Sequence, residues 1–449
     1  MPDIRPSVEQ GRLHRRGPTG QIAHAAEPLP DVDDPAFGKL FDRFGDARVV
    51  LLGEATHGTS EFYRARAAIT RWLVERRDFN IVALDADWPD ARVLDARVRG
   101  RGQASSEAFG RFPSWRWKNR EFDDFLRGLA EHNLGRSRGD AAGIYGLDRY
   151  NLAGSMRAAI DHLDGVDPEV ASVARERFGC LNPWAQEPQA LGRMAVSGRY
   201  AACEGAVTSM LADTLARQNR ERPWDDGDDG LLGAALSAPL ERDARSYYRA
   251  MYYGGGEAWN LRAAHLFETL QALMEAKGPH ARAVVWAHNA LVGDARASEM
   301  GVVRDEFSLG QLCRHAWGAD ARLIGLGAHA GTVACASDWD GPMEVKALRP
   351  SLPESQERQS HNAGLERFLL DLRPGVNSGV RRALADPRLE RFVGVTYRPE
   401  TERWSHYAEC RLSEQYDAWV CFDETKAVTP LAAPTAGGEE AWPFASRSS

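Results

Sequence analysis

The sequence predicts an α/β protein: a largely parallel central sheet flanked by helices, with an inserted, mostly helical subdomain and an active-site cleft between the two. Three observations carry this expectation. Short apolar runs without alternation recur along the chain, the pattern of strands buried on both faces of a parallel sheet. Most of these runs stop abruptly at a polar residue. Between them lie segments whose apolar residues follow helical spacing.

The first 33 residues, rich in Arg, Pro, Gly and Asp, read as a flexible arm, and a short helix follows near residues 34–44. Arg48-Val49-Val50-Leu51-Leu52-Gly53 is the first strand and ends at Glu54. Residues 61–76 carry Phe62, Ala65, Ile69, Trp72 and Leu73 at helical spacing. Ile81-Val82-Ala83-Leu84 ends at Asp85, residues 121–131 form another helix, and Gly143-Ile144-Tyr145-Gly146-Leu147 ends at Asp148. Residues 34–151 therefore make the first part of the core. Residues 152–277 show no convincing strand and much Ala, Leu, Arg and Glu, the composition of a helical insertion, broken by the acidic loop Asp225-Asp226-Gly227-Asp228-Asp229-Gly230. The second part of the core, 278–428, holds Ala283-Val284-Val285-Trp286-Ala287 ending at His288 and Leu323-Ile324-Gly325-Leu326-Gly327 ending before His329. It closes with Phe392-Val393-Gly394-Val395-Thr396-Tyr397 and Trp419-Val420-Cys421-Phe422. Residues 429–449 read as a disordered tail.

Composition narrows the function classes. The chain has 449 residues and a net charge of −8, which argues against a nucleic-acid partner. No run approaches the 18 apolar residues of a membrane span, and charge and proline near the start leave no room for a secretion signal. The six cysteines (Cys180, Cys203, Cys313, Cys335, Cys410, Cys421) show no CxxC and no zinc spacing, as expected of buried thiols in a reducing compartment. A cytoplasmic enzyme acting on a small molecule fits all of this.

In an open parallel sheet, functional groups gather at the carboxyl ends of the strands. Here those ends carry Glu54, Asp85, Asp148 and His288, with His57 just beyond the first. Several such residues at successive strand ends point to one pocket lined with acid–base groups. The densest piece is Gly53-Glu54-Ala55-Thr56-His57-Gly58, where glycines let the backbone turn tightly at a strand mouth. For that fragment alone the plainer alternative has equal weight: Glu54 caps the next helix and His57 is a satisfied turn histidine. Two imidazoles beside carboxylates suit acid–base work near neutral pH. There is no GxSxG elbow, no phosphate loop, no GxGxxG in a βαβ context and no HExxH. Trp115, Trp117 and Phe122, interleaved with Arg116, Lys118 and Arg120, read as an amphipathic surface loop beside a core helix. His406, within Arg403-Trp404-Ser405-His406-Tyr407, faces either the pocket or the packing.

Val50-Leu51-Leu52-Gly53-Glu54-Ala55-Thr56-His57-Gly58, followed by Glu61-Phe62-Tyr63-Arg64-Ala65-Arg66, resembles the opening motif of the erythromycin esterase family. So do Asp85-Ala86-Asp87-Trp88-Pro89-Asp90, Tyr145-Gly146-Leu147-Asp148, Met251-Tyr252-Tyr253-Gly254-Gly255 and Trp259-Asn260-Leu261-Arg262. Ala287-His288-Asn289-Ala290 and Pro399-Glu400-Thr401-Glu402-Arg403 complete the series, which runs in the family's order from about Asp46 to Asp423. The resemblance implies an α/β core with a helical lobe and hydrolysis of a macrolide lactone through a histidine-activated water, with no covalent serine, no metal and no cofactor. It makes His57 the general base and Glu54 the acid that orients it, Arg66 a cleft arginine and His288 a second essential histidine. Asp85 stands where the family usually has Glu, keeping the charge with a shorter reach.

Other positions depart from the pattern. The family usually has His at the position of Leu291, often Asp at that of Ala263, and a phenol at that of His329. Asp148, Arg262, Leu291, His329 and His406 are the candidate substrate-binding residues. The altered positions imply that macrolides themselves are poor substrates and leave two alternatives to an esterase or amidase. One is a natural-product biosynthetic enzyme using the same acid–base pair for a non-hydrolytic or peptide-tailoring reaction. The other is a catalytically dead binding protein.

Overall fold

A computed structural model describes residues 17–101, 109, 113–137, 140–148, 172 and 256–431. Among them the strands are β1 (Glu27–Pro28), β2 (Val49–Leu52), β3 (Ile81–Asp87), β4 (Gly143–Asp148), β5 (Ala283–Trp286), β6 (Ala321–Cys335), β7 (Glu344–Leu348), β8 (Arg367–Asp371), β9 (Arg388–Arg391), β10 (Tyr407–Cys410) and β11 (Ala418–Thr425). The helices that matter below are α1 (Pro18–Ala25), α2 (Ser60–Arg77), α3 (Trp88–Val98), α4 (Arg120–Asn133), α5 (Gly256–Ala276), α6 (Asn289–Val292), α7 (Leu309–Trp317) and α8 (Gln356–Asn362). The chain divides into two compact units. The first takes in what lies up to Val82, Phe109–His132 and the residues from Arg282 on; the second takes in the residues from Ala83 and those from Asn133 to Ala281.

In the first unit, strands lie in the order β1-β8-β11-β6-β2-β5. The centre is parallel: β11 with β6, β6 with β2, and β2 with β5. All four residues of β2 are buried because strands flank it on both sides and helices cover its faces, which is why its sequence is uniformly Val and Leu. The sheet ends in antiparallel β8 and β1, and β7 pairs antiparallel with the far half of β6. The two faces can be read from the alternation of β11. Phe422 meets Phe62 of α2, while Trp419 donates its Nε1–H to Ser360 of α8 and Asp423 meets His361 of the same helix. A separate antiparallel pair, β9 and β10, lies outside this sheet.

In the second unit β3 and β4 are neighbours. The Asp95 carboxylate of α3 accepts the Ile144 N–H of β4 at 3.0 Å, and Asn133 donates to the carbonyls of Val98 and Ala142 at 2.9 and 2.8 Å.

The apolar runs at 49–52, 81–84, 143–147, 283–286 and 419–422 are strands, and the mixed, mostly parallel α/β reading holds. Four expectations are corrected. Within the supposed flexible arm, residues 18–25 form α1, with Pro18 in its first turn, and Ile22 is buried in the core. Glu27 and Pro28 pair with Leu369 and Phe368, and Arg43 grips the Glu27 carboxylate at 2.5 and 2.7 Å. The strand expected to stop before His329 runs on to Cys335, because β7 supplies new pairing for its second half. Residues 392–397 form only isolated bridges, at Val393 and Thr396; the strand is Arg388-Leu389-Glu390-Arg391, hidden in the sequence by charged residues that are nonetheless buried. Trp115, Trp117 and Phe122 are buried, with the Trp117 and Phe122 rings packed on each other, Trp117 edge-on to Tyr63 and Phe122 edge-on to Trp286, so they are core and not a surface loop. Most of the expected helical insertion and the tail from 432 on lie outside the described residues. The described part of the insertion from 256 is helix α5. Cys313, Cys335, Cys410 and Cys421 are buried free thiols, and no described helix is long and apolar enough to cross a membrane.

Candidate active site

The turn that follows β2 is held by neighbours on several sides. Gly53 N–H donates to Ile324 O at 2.8 Å, Asn289 N–H to Glu54 O at 2.9 Å, and Val393 N–H to Ala55 O at 2.8 Å. Two glycines are required by space. A Cβ on Gly53 would lie 2.0 Å from Asn289 Oδ1, and one on Gly58 would lie 1.9 Å from Ala334 O. The hydroxyls of Thr56 and Thr59 bond each other across the turn before α2 begins at Ser60. A late segment of the chain crosses the same turn: Val428 N–H donates to Gly58 O at 3.0 Å, Ser60 N–H to Lys426 O at 2.8 Å, and Thr429 N–H to the Glu121 carboxylate.

This framework places Glu54 and His57 side by side. Glu54 Oε1 lies 2.8 Å from His57 Nδ1, and Oε2 lies 2.6 Å from Arg66 Nη2 of α2. Glu54 and Arg66 are both 0 % exposed, whereas His57 retains 9 %. Burial pushes the Glu54 carboxyl up, but Arg66, the His57 hydrogen bond and Arg116 outweigh it and hold the group at about 2. It is therefore ionised at any working pH. The Arg66 guanidinium lies over the rings of Tyr63 and Trp286, with centroids 4.6 and 4.7 Å away, and this replaces part of its lost hydration. Trp286 is fixed by its Nε1–H bond to Thr70 Oγ1 at 2.9 Å.

His288 comes from the end of β5, where it caps α6: its Nδ1 accepts the Ala290 N–H at 3.3 Å. Its ring lies 4.9 Å from that of His57, centroid to centroid, at 56°. The hydrogen bonds assign opposite neutral tautomers to the pair. His57 carries its proton on Nδ1, toward Glu54, so Nε2 is its basic nitrogen. His288 accepts at Nδ1, so its proton sits on Nε2. One ring is an acceptor and the other a donor.

Arg116 also belongs here, with Nη2 3.8 Å from Glu54 Oε1, its guanidinium over Trp117 at 4.9 Å, and 8 % of its surface exposed. Sequence reasoning passed over it as part of a surface loop. The usable signal was the density of aromatic residues around it, too apolar for an exposed segment. Arg66, expected in the cleft, has no exposed surface and serves as the counter-ion of Glu54.

The remaining expected residues have partners of their own. In the second unit Arg262 Nη2 bridges Asp85 Oδ1 at 2.5 Å and Asp148 Oδ2 at 2.7 Å, so those three come together as an ion-paired trio. His329 bonds Ser351 Oγ at 2.6 Å and stacks on His361 at 3.8 Å, on the sheet face that α8 covers. Burial first, then the His361 ring, lowers it to about 4. His406 accepts the Arg398 N–H at 3.2 Å and packs on Tyr397, which is the packing alternative. Leu291 is 1 % exposed and Ala263 is buried; Leu291 is core and not a wall of a cleft. A cavity of about 580 Å³ lined by Lys346, Arg349, Tyr397 and Arg398 among others includes none of the expected residues. Among the described residues no group of three or more His, Cys, Asp or Glu is arranged to hold a metal ion.

Comparison with known proteins agrees with the fold and the motifs. The sequence profile described as Erythromycin esterase matches residues 74–425, a stretch that takes in Arg116 and His288 and begins beyond Arg66. The chain is 22 % identical over 323 residues to erythromycin esterase type II of Escherichia coli, covering 68 % of this chain and 74 % of that protein. Its fold is similar to a succinoglycan biosynthesis protein (TM-score 0.72, 18 % identity, 96 % of this chain and 100 % of that one). A Bacillus cereus protein (0.71, 17 %, 92 % and 98 %) and a mutant of erythromycin esterase EreC in its open conformation (0.62, 17 %, 91 % and 99 %) share it as well. The extent of the profile match, together with the order of the motifs, shows that this chain belongs to the erythromycin esterase family.

Proposed function

We propose that the protein is a hydrolase that cleaves an ester of a small molecule by direct attack of water. The observation that carries this reading is the buried Glu54–His57 pair, in which an ionised carboxylate holds Nδ1–H and so makes Nε2 the base. In the first step His57 Nε2 takes a proton from water as the oxygen attacks the carbonyl. The imidazolium that forms is stabilised by Glu54, whose charge Arg66 keeps fixed. The His288 Nε2–H and the Arg116 guanidinium are the donors for the developing oxyanion, since both retain some exposure while Arg66 has none. His57 then returns its proton to the leaving alkoxide. No covalent enzyme intermediate is involved. The family supplies the hydrolase class.

The test is hydrolysis of a panel of lactones and simple esters by wild type and His57→Ala. The variant is expected to lose about 10²–10⁴-fold in kcat, with an unchanged circular dichroism spectrum. Undiminished turnover in the folded variant would refute the mechanism.

A further inference from the structure

The turn that carries His288 is locked by a group that the reaction above does not use. Asn289, the first residue of α6, is fully buried. Its Nδ2 donates to Leu326 O at 3.0 Å and to Glu390 Oε1 at 3.1 Å, and its Oδ1 accepts the Leu326 N–H at 3.3 Å. Glu390 comes from β9 and is also fully buried. Its Oε1 accepts a second hydrogen bond, from the Tyr416 hydroxyl at 2.7 Å, and Gln415 Nε2 donates to that hydroxyl at 3.0 Å.

The charges around Glu390 are unbalanced. Glu357 of α8 is a second buried carboxyl facing it, and the Cys410 thiol of β10 borders it. Among the described residues no arginine, lysine or histidine forms an ion pair with Glu390 or Glu357. Arg391 is adjacent in sequence; its N–H donates to Glu357 Oε1 at 2.8 Å and its charge favours the Glu357 carboxylate, but its guanidinium pairs with Glu402 at 3.0 Å and donates to the carbonyls of Ala328, His329 and Arg349. Glu390 Oε2 has no hydrogen-bond partner among the described residues. A hydroxyl there costs one unmade hydrogen bond, whereas a carboxylate would cost the burial of an uncompensated charge.

We propose that Glu390, held as the neutral acid, is the positioning residue of the His288 turn. With its proton on Oε2, Oε1 accepts from Asn289 and Tyr416 together, and Asn289 stays centred between Leu326 and Glu390. Burial, and after it the Glu357 carboxyl, push the Glu390 carboxyl well above the usual range, in keeping with this state. Loss of the proton at alkaline pH draws the Asn289 amide toward the new charge and loosens its grip on Leu326, and the His288 ring moves with it. The significance for catalysis rests on the hydrolase reading; the lock itself does not.

The test uses the full chain, Glu390→Gln, which copies the neutral acid in shape, and Tyr416→Phe. At pH 7 the wild type is expected to show a protonated-carboxyl infrared band that loses intensity in Glu390→Gln. The His288 imidazole resonances, assigned by their loss in His288→Asn, should shift in wild type as pH rises above 7 and stay still in Glu390→Gln. Tyr416→Phe removes a donor that favours the carboxylate, so it should move that transition to higher pH. A band unaffected by Glu390→Gln, an alkaline His288 shift that survives it, or a Tyr416→Phe transition at unchanged pH overturns the proposal. None of these readouts needs turnover, so inactivity toward every ester would remove the hydrolase reading and leave this one standing.

Discussion

Glu54 divides its two carboxylate oxygens between His57 Nδ1 at 2.8 Å and Arg66 Nη2 at 2.6 Å. The carboxylate is thus both the orienting partner of the His57 ring and one half of a fully buried ion pair. Its removal therefore tests catalysis and stability together.

Glu54→Gln should lose activity and also unfold more easily. The amide keeps the shape but leaves Arg66 buried without its counter-charge, and breaking a buried pair costs about 3–5 kcal/mol. The pH dependence has a defined sign. The folded carboxyl is held at about 2 against an ordinary value of 4.5, so its contribution to stability is complete above pH 4.5 and is lost as pH falls through 2. Urea midpoints of wild type and Glu54→Gln should differ most at pH 5–7 and converge between pH 4.5 and 2. A gap that stays constant over that window would show that the carboxylate is not charged as described.

Arg116→Ala should reduce kcat by about 10²–10³-fold, the usual worth of one oxyanion donor. Its stability cost should be near 1 kcal/mol, from the lost contact with Trp117. Arg116→Lys keeps the charge but not the planar fork and should recover only part of the rate. Full activity in Arg116→Ala would leave His288 as the oxyanion donor.

Leu291→His replaces a buried apolar side chain with a polar ring and should destabilise the protein by about 2–3 kcal/mol. Because the residue faces the core, no gain in cleavage of fourteen-membered macrolides is expected. An unchanged urea midpoint, or a new macrolide esterase activity, would show that the side chain reaches the substrate.

The parallel centre of the sheet was legible because β2 and β5 are buried on both faces and so are written in Val, Leu, Ala and Trp alone. The pairing of Glu54 with His57 was legible for a related reason: both lie on the short turn that such a strand must end in. What escaped notice was structure whose polar residues are buried. β9 reads Arg-Leu-Glu-Arg, yet Glu390 and Arg391 are both in the interior, bonded to partners from β6, α8 and the segment around Tyr416 that lie away from them in sequence. Arg116 was missed in the same way, since only the fold reveals that Trp115 and Trp117 face inward. His329 was misjudged because β6 continues past it: once the strand goes on, side chains alternate between the faces of the sheet, and His329 falls on the face of α8. The altered position at Leu291 likewise drew attention as a substrate determinant, although the first turn of α6 points it into the core.

The segment from Lys426 to Leu431 that ties down the His57 turn has a consequence for the order of events during synthesis. Glu54 and His57 leave the ribosome early, but the backbone groups that clasp Gly58 and Ser60 come from residues more than 360 positions later. A nascent chain lacking them holds the dyad on an unfastened loop, with the Glu61 and Glu121 carboxylates still without the Lys426 and Thr429 amides. Closure of so long a loop is a late and slow step in folding. The alignment of the Glu54–His57 turn is thereby deferred until residues 426–431 have been made, so a product truncated before them would carry both side chains without the contacts that fix them.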